Sequence, residues 1–259
     1  MDLSYLRPLF AGDGPWASVY LDATSDERSP GPGIDARWQT LAGHLTSQGA
    51  DPGTVAAIGE AIRGHPRRPG RHGLAIFASG GRVVLAEPLD TPPAAGLAVW
   101  APLPHAMPLV AQREMATARA DRSRDESERA VAEENTRAAV ADQNTRAALA
   151  RFGAGPHAGG LAEVVVSLRD GRVEQVLLVD DPSSTDRLWI GPGDPRLIAS
   201  EPGALSAAGV RPVEVRADAA LLRAVVGTGA GLLLIGPDDL DLPHGIGAIL
   251  HDDDPPDPA

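Results

Sequence analysis

The sequence predicts an α/β protein of two lobes joined by a long helix. Short apolar runs alternate with helix-period segments on both sides of a polar, alanine-rich stretch, as strands and helices of packed layers do. That stretch, Asp121 to Phe152, contains no Gly or Pro, and Gly153, Gly155 and Pro156 follow it at once as stop signals. The third observation is size: 259 residues with 43% hydrophobic content suffice for two modest cores.

The expected first lobe is residues 1–112. Leu3, Leu6, Leu9 and Phe10 recur at helical spacing, and Gly12 to Pro15 break the run before Trp16 to Leu21, which reads as a strand. Ile34 to Gln48 has the helical pattern with Trp38, Leu41 and Leu45 on one face. Asp51 then caps a second helix with Pro52 at its first position. Leu74 to Ala78, Val83 to Leu85 and Leu97 to Trp100 are strand-like, with Ser79-Gly80-Gly81-Arg82 turning the first two into a hairpin. Seven of the nine aromatics fall in this lobe, which therefore has the larger apolar side chains for a core.

Between the second helix and the hairpin lies Arg63-Gly64-His65-Pro66-Arg67-Arg68-Pro69-Gly70-Arg71-His72-Gly73, with no acidic residue in it. Its prolines and glycines predict a loop, and guanidinium groups on a loop make bidentate contacts to phosphates. Arg63, Arg67, Arg68, Arg71 and His72 are accordingly the expected RNA-binding residues. A solvated loop competes with that reading, because basic runs are common by chance. His65 and His72 lack a third metal ligand nearby in sequence, so no metal is expected there.

Residues 113–152 read as a helical connector. Ser123-Arg124-Asp125-Glu126 has the form of a capping box, so the helix is expected to start there and to run about 29 residues, or about 44 Å at about 1.5 Å per residue. A nine-residue repeat, Ala130 to Ala138 and then Ala139 to Ala147, puts Val140 opposite Val131 and Leu149 and leaves no broad apolar stripe. Glu133 with Arg137 and Asp142 with Arg146 form favourably ordered pairs. The expectation is a solvated linker helix, with self-pairing through it as the rival.

Residues 153–251 form the expected second lobe and residues 252–259 an acidic tail. Leu161 to Leu168 reads as a helix, Val173 to Val179 as a buried strand, Leu188 to Ile190 and Val213 to Val215 as short strands, Ala217 to Val226 as a helix, Leu232 to Ile235 as another strand, and Ile246 to Leu250 as the closing segment. Asp180-Asp181-Pro182-Ser183-Ser184 invites a Mg²⁺ reading, but it is equally a turn with a cap, and one carboxylate pair does not make a site. Gly227-Thr228-Gly229-Ala230-Gly231 follows a helix and opens a strand, the reverse of a dinucleotide loop, and so predicts a helix C-cap. His244 and His251 near Asp252 to Asp254 are weak metal candidates in a segment composed like a frayed tail.

Composition narrows the function. The absence of cysteine excludes thiol catalysis and disulfides, and with no basic leader or membrane-length apolar run the expected location is cytoplasmic. All 23 basic residues are arginine. Net charge is −2 over residues 1–112, zero over 113–152 and −10 over 153–259, so the second lobe suits a basic protein partner better than a phosphate backbone. No nucleophile elbow, zinc-binding His pair or Walker loop occurs, and no cofactor is expected.

Three groups of segments resemble a known family. They are Leu6 to Leu9 with Pro15 to Asp22; Pro69 to Phe77 with Trp100 to His105; and Val173 to Ser184 with Leu188 to Pro192. They resemble the actinobacterial branch of the bacterial homologues of archaeal and eukaryotic class-one release factors, a group related to Pelota and Balon that includes Vms/Ankzf-type peptidyl-tRNA hydrolases. The resemblance implies an N-terminal domain facing rRNA at the decoding centre and a C-terminal L7Ae-like α/β/α sandwich that meets a translational GTPase or a ribosomal protein. It also implies a central domain, for which the 17 residues between Gln112 and Ala130 leave no room. The glutamine loop of hydrolytic members has no counterpart, since none of Gln39, Gln48, Gln112, Gln143 or Gln175 follows Gly-Gly. The expectation is a ribosome-binding hibernation or stalled-ribosome factor without its own catalysis. Peptidyl-tRNA hydrolysis in ribosome rescue and a protein adaptor at a translation-factor site are the alternatives.

Overall fold

The computed structural model describes residues 2–12, 14–24, 33–66, 68, 70–128, 138–179, 181, 184–236 and 242–251. The protein is α/β, and its chain divides into two compact units, Ser4–Gln112 and one containing Arg113–Ala259.

In the first unit a short helix α1 (Arg7–Phe10) precedes β1 (Trp16–Asp22), α2 (Ile34–Ser47), α3 (Pro52–Gly64), β2 (Gly73–Ser79), β3 (Arg82–Leu89), β4 (Leu97–Ala101) and the start of α4 (Met107–Glu128). The strands form an antiparallel sheet ordered β3-β2-β1-β4. Side chains alternate across a strand, so Ala17, Val19 and Leu21 of β1 share a face. They pack with Leu74, Ile76 and Ala78 of β2 and with Trp38, Leu41, Leu45, Ile58 and Ile62 of the two helices. On the other face Tyr20 meets Phe77 edge-on at 5.9 Å and donates its hydroxyl to the His105 carbonyl at 2.8 Å, while the His105 N–H donates to Ser18 Oγ at 2.9 Å. Both faces of β1 are therefore covered, and only Asp22, at its end, is partly open.

The Asp51 cap forms as its sequence predicts: Oδ1 accepts the Thr54 N–H at 2.8 Å. Gly80 and Gly81 turn the β2–β3 hairpin at φ 57° and 76°, values a side chain at either position would resist. Strand β3 continues past the expected Leu85 to Leu89 and includes Pro88. It is an edge strand, the place in a sheet where a residue without an N–H is tolerated.

The connector differs from expectation. α4 starts at Met107, with Pro108 in its first turn, and passes through Ser123 to Glu128 without stopping, so the capping-box residues lie inside a helix. Residues 129–137, with Val131 and the Glu133–Arg137 pair, lie outside the described residues. α5 (Ala138–Ala154) is not simply a solvated linker: Ala148, Leu149 and Phe152 pack with Leu177, Val179, Leu233 and Ile235. The alanine-rich repeat gives no apolar stripe, but its last turns do.

The second unit continues with β5 (His157–Gly159), α6 (Leu161–Arg169), β6 (Val173–Val179), β7 (Arg187–Ile190), β8 (Ile198–Ala199), α7 (Pro202–Ala207), β9 (Val213–Arg216), α8 (Ala217–Thr228), β10 (Gly231–Ile235) and β11 (Ile246–Leu250). One sheet runs β10-β6-β11-β5, with β10 and β6 parallel and the other pairs antiparallel; a smaller one runs β8-β7-β9. Gly229 ends α8 at φ 76°, the C-cap the glycine run predicts. Buried Arg223 of α8 donates to the carbonyls of Gly191, Gly193 and Asp194 at 3.0, 3.2 and 3.0 Å and so fixes the Gly191–Asp194 turn.

Candidate nucleic-acid interface

The arginine segment begins on a helix. Arg63 lies in the last turn of α3 and is exposed, contrary to the expectation that the whole segment is a loop. The proline that breaks the helix is Pro66, so nothing at Arg63 itself forbids helical geometry. His65 is the C-cap at ψ 129°, the extended conformation favoured before a proline. Arg68 and Arg71 are exposed, and Arg67 falls outside the described residues.

His72 requires a correction. It was expected at the RNA surface, yet it is 8% exposed. The cause is strand pairing. β1 and β2 are neighbours whose register ends at Asp22 and Gly73, and beyond it the Ala23 N–H donates to the His72 carbonyl at 3.0 Å. The His72 N–H donates to Thr24 Oγ1 at 3.3 Å, and Nδ1 lies 3.1 Å from the Gly70 carbonyl. A carbonyl only accepts, so Nδ1 carries the proton and Nε2 of neutral His72 is left with a lone pair. His72 anchors the arginine loop and does not present itself to a ligand.

The same pairing brings an acid to a segment that contains none. Asp22 accepts the Thr24 N–H at 2.9 Å, and Arg37 of α2 donates to the Asp22 carbonyl at 2.7 Å with its guanidinium 3.6 Å from the Asp22 carboxylate. Partial burial acts to raise the Asp22 pKa, but the Thr24 hydrogen bonds and the charges of Arg37 and Arg71 outweigh it and hold it below the usual carboxylate range. The surface thus combines Arg63 from a helix end, Arg68 and Arg71 from the loop, and an Asp22–Arg37 pair that ties the loop base to α2. Asp22, Thr24 and Arg37 were missed because they are distant in sequence from the arginines; only the strand order places them together.

His65 is half-buried beside His72, their ring centroids 6.1 Å apart, and neither Nε2 has a hydrogen-bond partner. Burial first, then His72 and Arg68, lower the His65 pKa from its ordinary value. Among the described residues no group of three or more His, Asp or Glu is placed to hold a metal ion. Asp180 and Asp252–Asp254 are outside them; within them, Ser184 donates its N–H to the Asp181 carbonyl at 3.1 Å, the turn that the sequence allowed.

The second unit has a cleft of about 560 Å³ whose lining includes Glu174, Asp194, Arg196, Thr228, Gly229 and His251. Glu174 is bridged by Arg151, and Asp194 lies 3.6 Å from the Arg196 guanidinium, so its charges are largely matched internally. The arginine surface is the stronger candidate.

No protein-family model matches the chain. Two Mycobacterium tuberculosis proteins are similar to it, "Uncharacterized protein Rv2629" of strain ATCC 25618 / H37Rv and "Uncharacterized protein MT2704" of strain CDC 1551 / Oshkosh. Each is 33% identical over 105 residues, a match covering 40% of this chain and 28% of the relative. The chain spans little more than a quarter of the length of those relatives. Among the described residues, no helix is long and apolar enough to cross a membrane.

Proposed function

We propose that this chain binds the ribosome as a release-factor-like protein of the hibernation or stalled-ribosome kind, without chemistry of its own. The observation that carries the reading is the exposed arginine surface of Arg63, Arg68 and Arg71, set on a base pinned by strand pairing, His72 and Asp22. Guanidinium groups on a fixed base recognise phosphates with less ordering cost than groups on a free loop. The resemblance in the β1, β2 and β6–β7 segments supplies the ribosomal setting, and the L7Ae-like reading of the second lobe belongs to the same proposal. The −10 charge of residues 153–259 supports a basic protein contact there, a translational GTPase or ribosomal protein.

The test is cosedimentation with ribosomes of wild type and of the Arg67→Glu, Arg68→Glu, Arg71→Glu variant. Loss of binding by the variant at moderate salt is expected. Unchanged cosedimentation removes the arginine surface from the function and the reading with it.

A further inference from the structure

We propose that the cleft of the second unit receives an arginine or lysine side chain from a basic segment of a partner protein, its cationic tip held between the C-terminal ends of α6 and α8. The inference rests on the basic-partner half of the ribosome-binding reading for its occupant, and it adds where on the lobe that contact is made.

The cleft lies between the end of α6, at Leu168, and the end of α8, at Thr228, with the start of β6 and the loop after β7 as its other walls. Its volume, about 560 Å³, is within the roughly 300–1,000 Å³ range of ligand pockets. The loop wall is fixed. Arg223 holds its Gly191–Asp194 turn by three hydrogen bonds, and Pro195 is seated so closely on α8 that a Cβ at Gly227 would lie 2.2 Å from its ring. A ligand therefore meets walls already in place, and little ordering cost is left for binding.

The lining is amphipathic. Leu168 and Val173, both buried, and Pro195 supply apolar surface of the kind that the methylene stem of arginine or lysine covers. At the rim the side-chain charges pair off, Glu174 with Arg151 and Asp194 with Arg196. The main chain then tips the balance. α6 and α8 both end at the cleft, and each helix end carries the equivalent of roughly half a negative charge in its last carbonyls. Gly171 and Gly229, the lining residues just past those ends, have no side chain to cover them. The Arg196 side chain is 58% exposed and lies 3.6 Å from Asp194, an ion pair that an incoming guanidinium replaces at small cost. The surrounding charge has the same sign, −10 over residues 153–259, so a basic segment is drawn to this lobe and an anion is not.

The experiment titrates the full chain, labelled with ¹⁵N, with a hexa-arginine peptide and follows the backbone amides. Those of Gly171, Thr228, Gly229 and Ala230 should shift together and saturably. Asp194→Asn removes a charge but keeps an oxygen for the Arg196 N–H, which Asp194 Oδ1 accepts at 2.8 Å, and should weaken peptide binding roughly fivefold at low salt. Ala230→Arg places the chain's own cation in the cleft and should remove the cleft shifts while the rest of the spectrum shows the fold unchanged. Shifts confined to other surfaces, cleft shifts that inorganic phosphate reproduces, or undiminished affinity in both variants overturn the inference. Ribosome affinity is the separate arm. If wild type binds and Ala230→Arg binds equally well, the cleft is not the basic contact and the inference falls. A wild type that binds no ribosome at any salt overturns the proposed function instead, with the peptide titration still deciding the cleft.

Discussion

One buried side chain shows how much a single polar residue can fix. Arg223 of α8 donates to three carbonyls of the Gly191–Asp194 turn, and a hydrocarbon there would strip the buried Gly191 carbonyl of this donor, whereas the Asp194 carbonyl would keep the Leu197 N–H at 3.1 Å. Arg223→Leu should cost on the order of 3 kcal/mol in a denaturant melt, and Arg223→Lys should recover part of it, because all three bonds leave a single terminal nitrogen whose place an ammonium can approach. Titration gives a second residue-level expectation. His65 favours its neutral form in the folded protein, so its contribution is present above the ordinary value of 6.5 and is lost as pH falls below it toward the depressed folded value. Asp22 and Asp51, whose pKa values are lowered from 3.8, contribute above that value and lose the contribution only in stronger acid. Thermal midpoints should therefore decline in two stages on acidification, and His65→Asn should abolish the upper stage alone. A single decline below pH 4.5 in wild type would contradict this assignment.

At the scale of elements, the four-stranded sheet manages both its edges. On β3, Pro88 removes a donor from the exposed edge. On β4, the Gln48 side chain takes the place of a fifth strand, its Nε2 donating to the Ala98 carbonyl at 3.0 Å and its Oε1 accepting the Trp100 N–H at 2.8 Å. An amide reproduces the donor and acceptor of a peptide unit, so the ladder ends without inviting another chain. Gln48→Ala should cost about 1–2 kcal/mol and raise the fraction of dimer in concentrated solution, read by light scattering after size exclusion. A strictly monomeric variant of unchanged stability would mean that the edge needs no plug.

For the molecule as a whole the expectations concern binding. If Arg67, Arg68 and Arg71 each neutralise one phosphate, the log–log salt slope of ribosome affinity should fall by about 2–3 in the triple glutamate variant, at about 0.7–0.9 per contact. An unchanged slope with weaker binding would point to misfolding rather than lost contacts. Purified protein should release no peptide from peptidyl-tRNA, because the chain has no glutamine after Gly-Gly and no room between Gln112 and Ala130 for a central domain. Release that copurifies with the protein through successive columns would bring the hydrolase reading forward.

The sequence by itself determined the α/β class, the Asp51 cap, the glycine hairpin, the Gly229 stop and the positions of the longer strands, but not the short β5 and β8. Each of these is written in local periodicity or in a residue that only one backbone conformation suits. It also marked the arginine segment, since a basic run in an acidic chain is visible without coordinates. Tertiary structure decided which of those residues face water. His72 turned inward because β1 and β2 are neighbours and their ladder extends to Ala23, a pairing of positions about fifty residues apart that no local pattern encodes. The same long-range pairing brought Asp22 and Arg37 to the loop and set His65 against His72, while the Ser123 capping box became ordinary helix for a separate reason. A cap signal states only that a helix can begin there; whether it does depends on what precedes it, and here α4 is already under way from Met107.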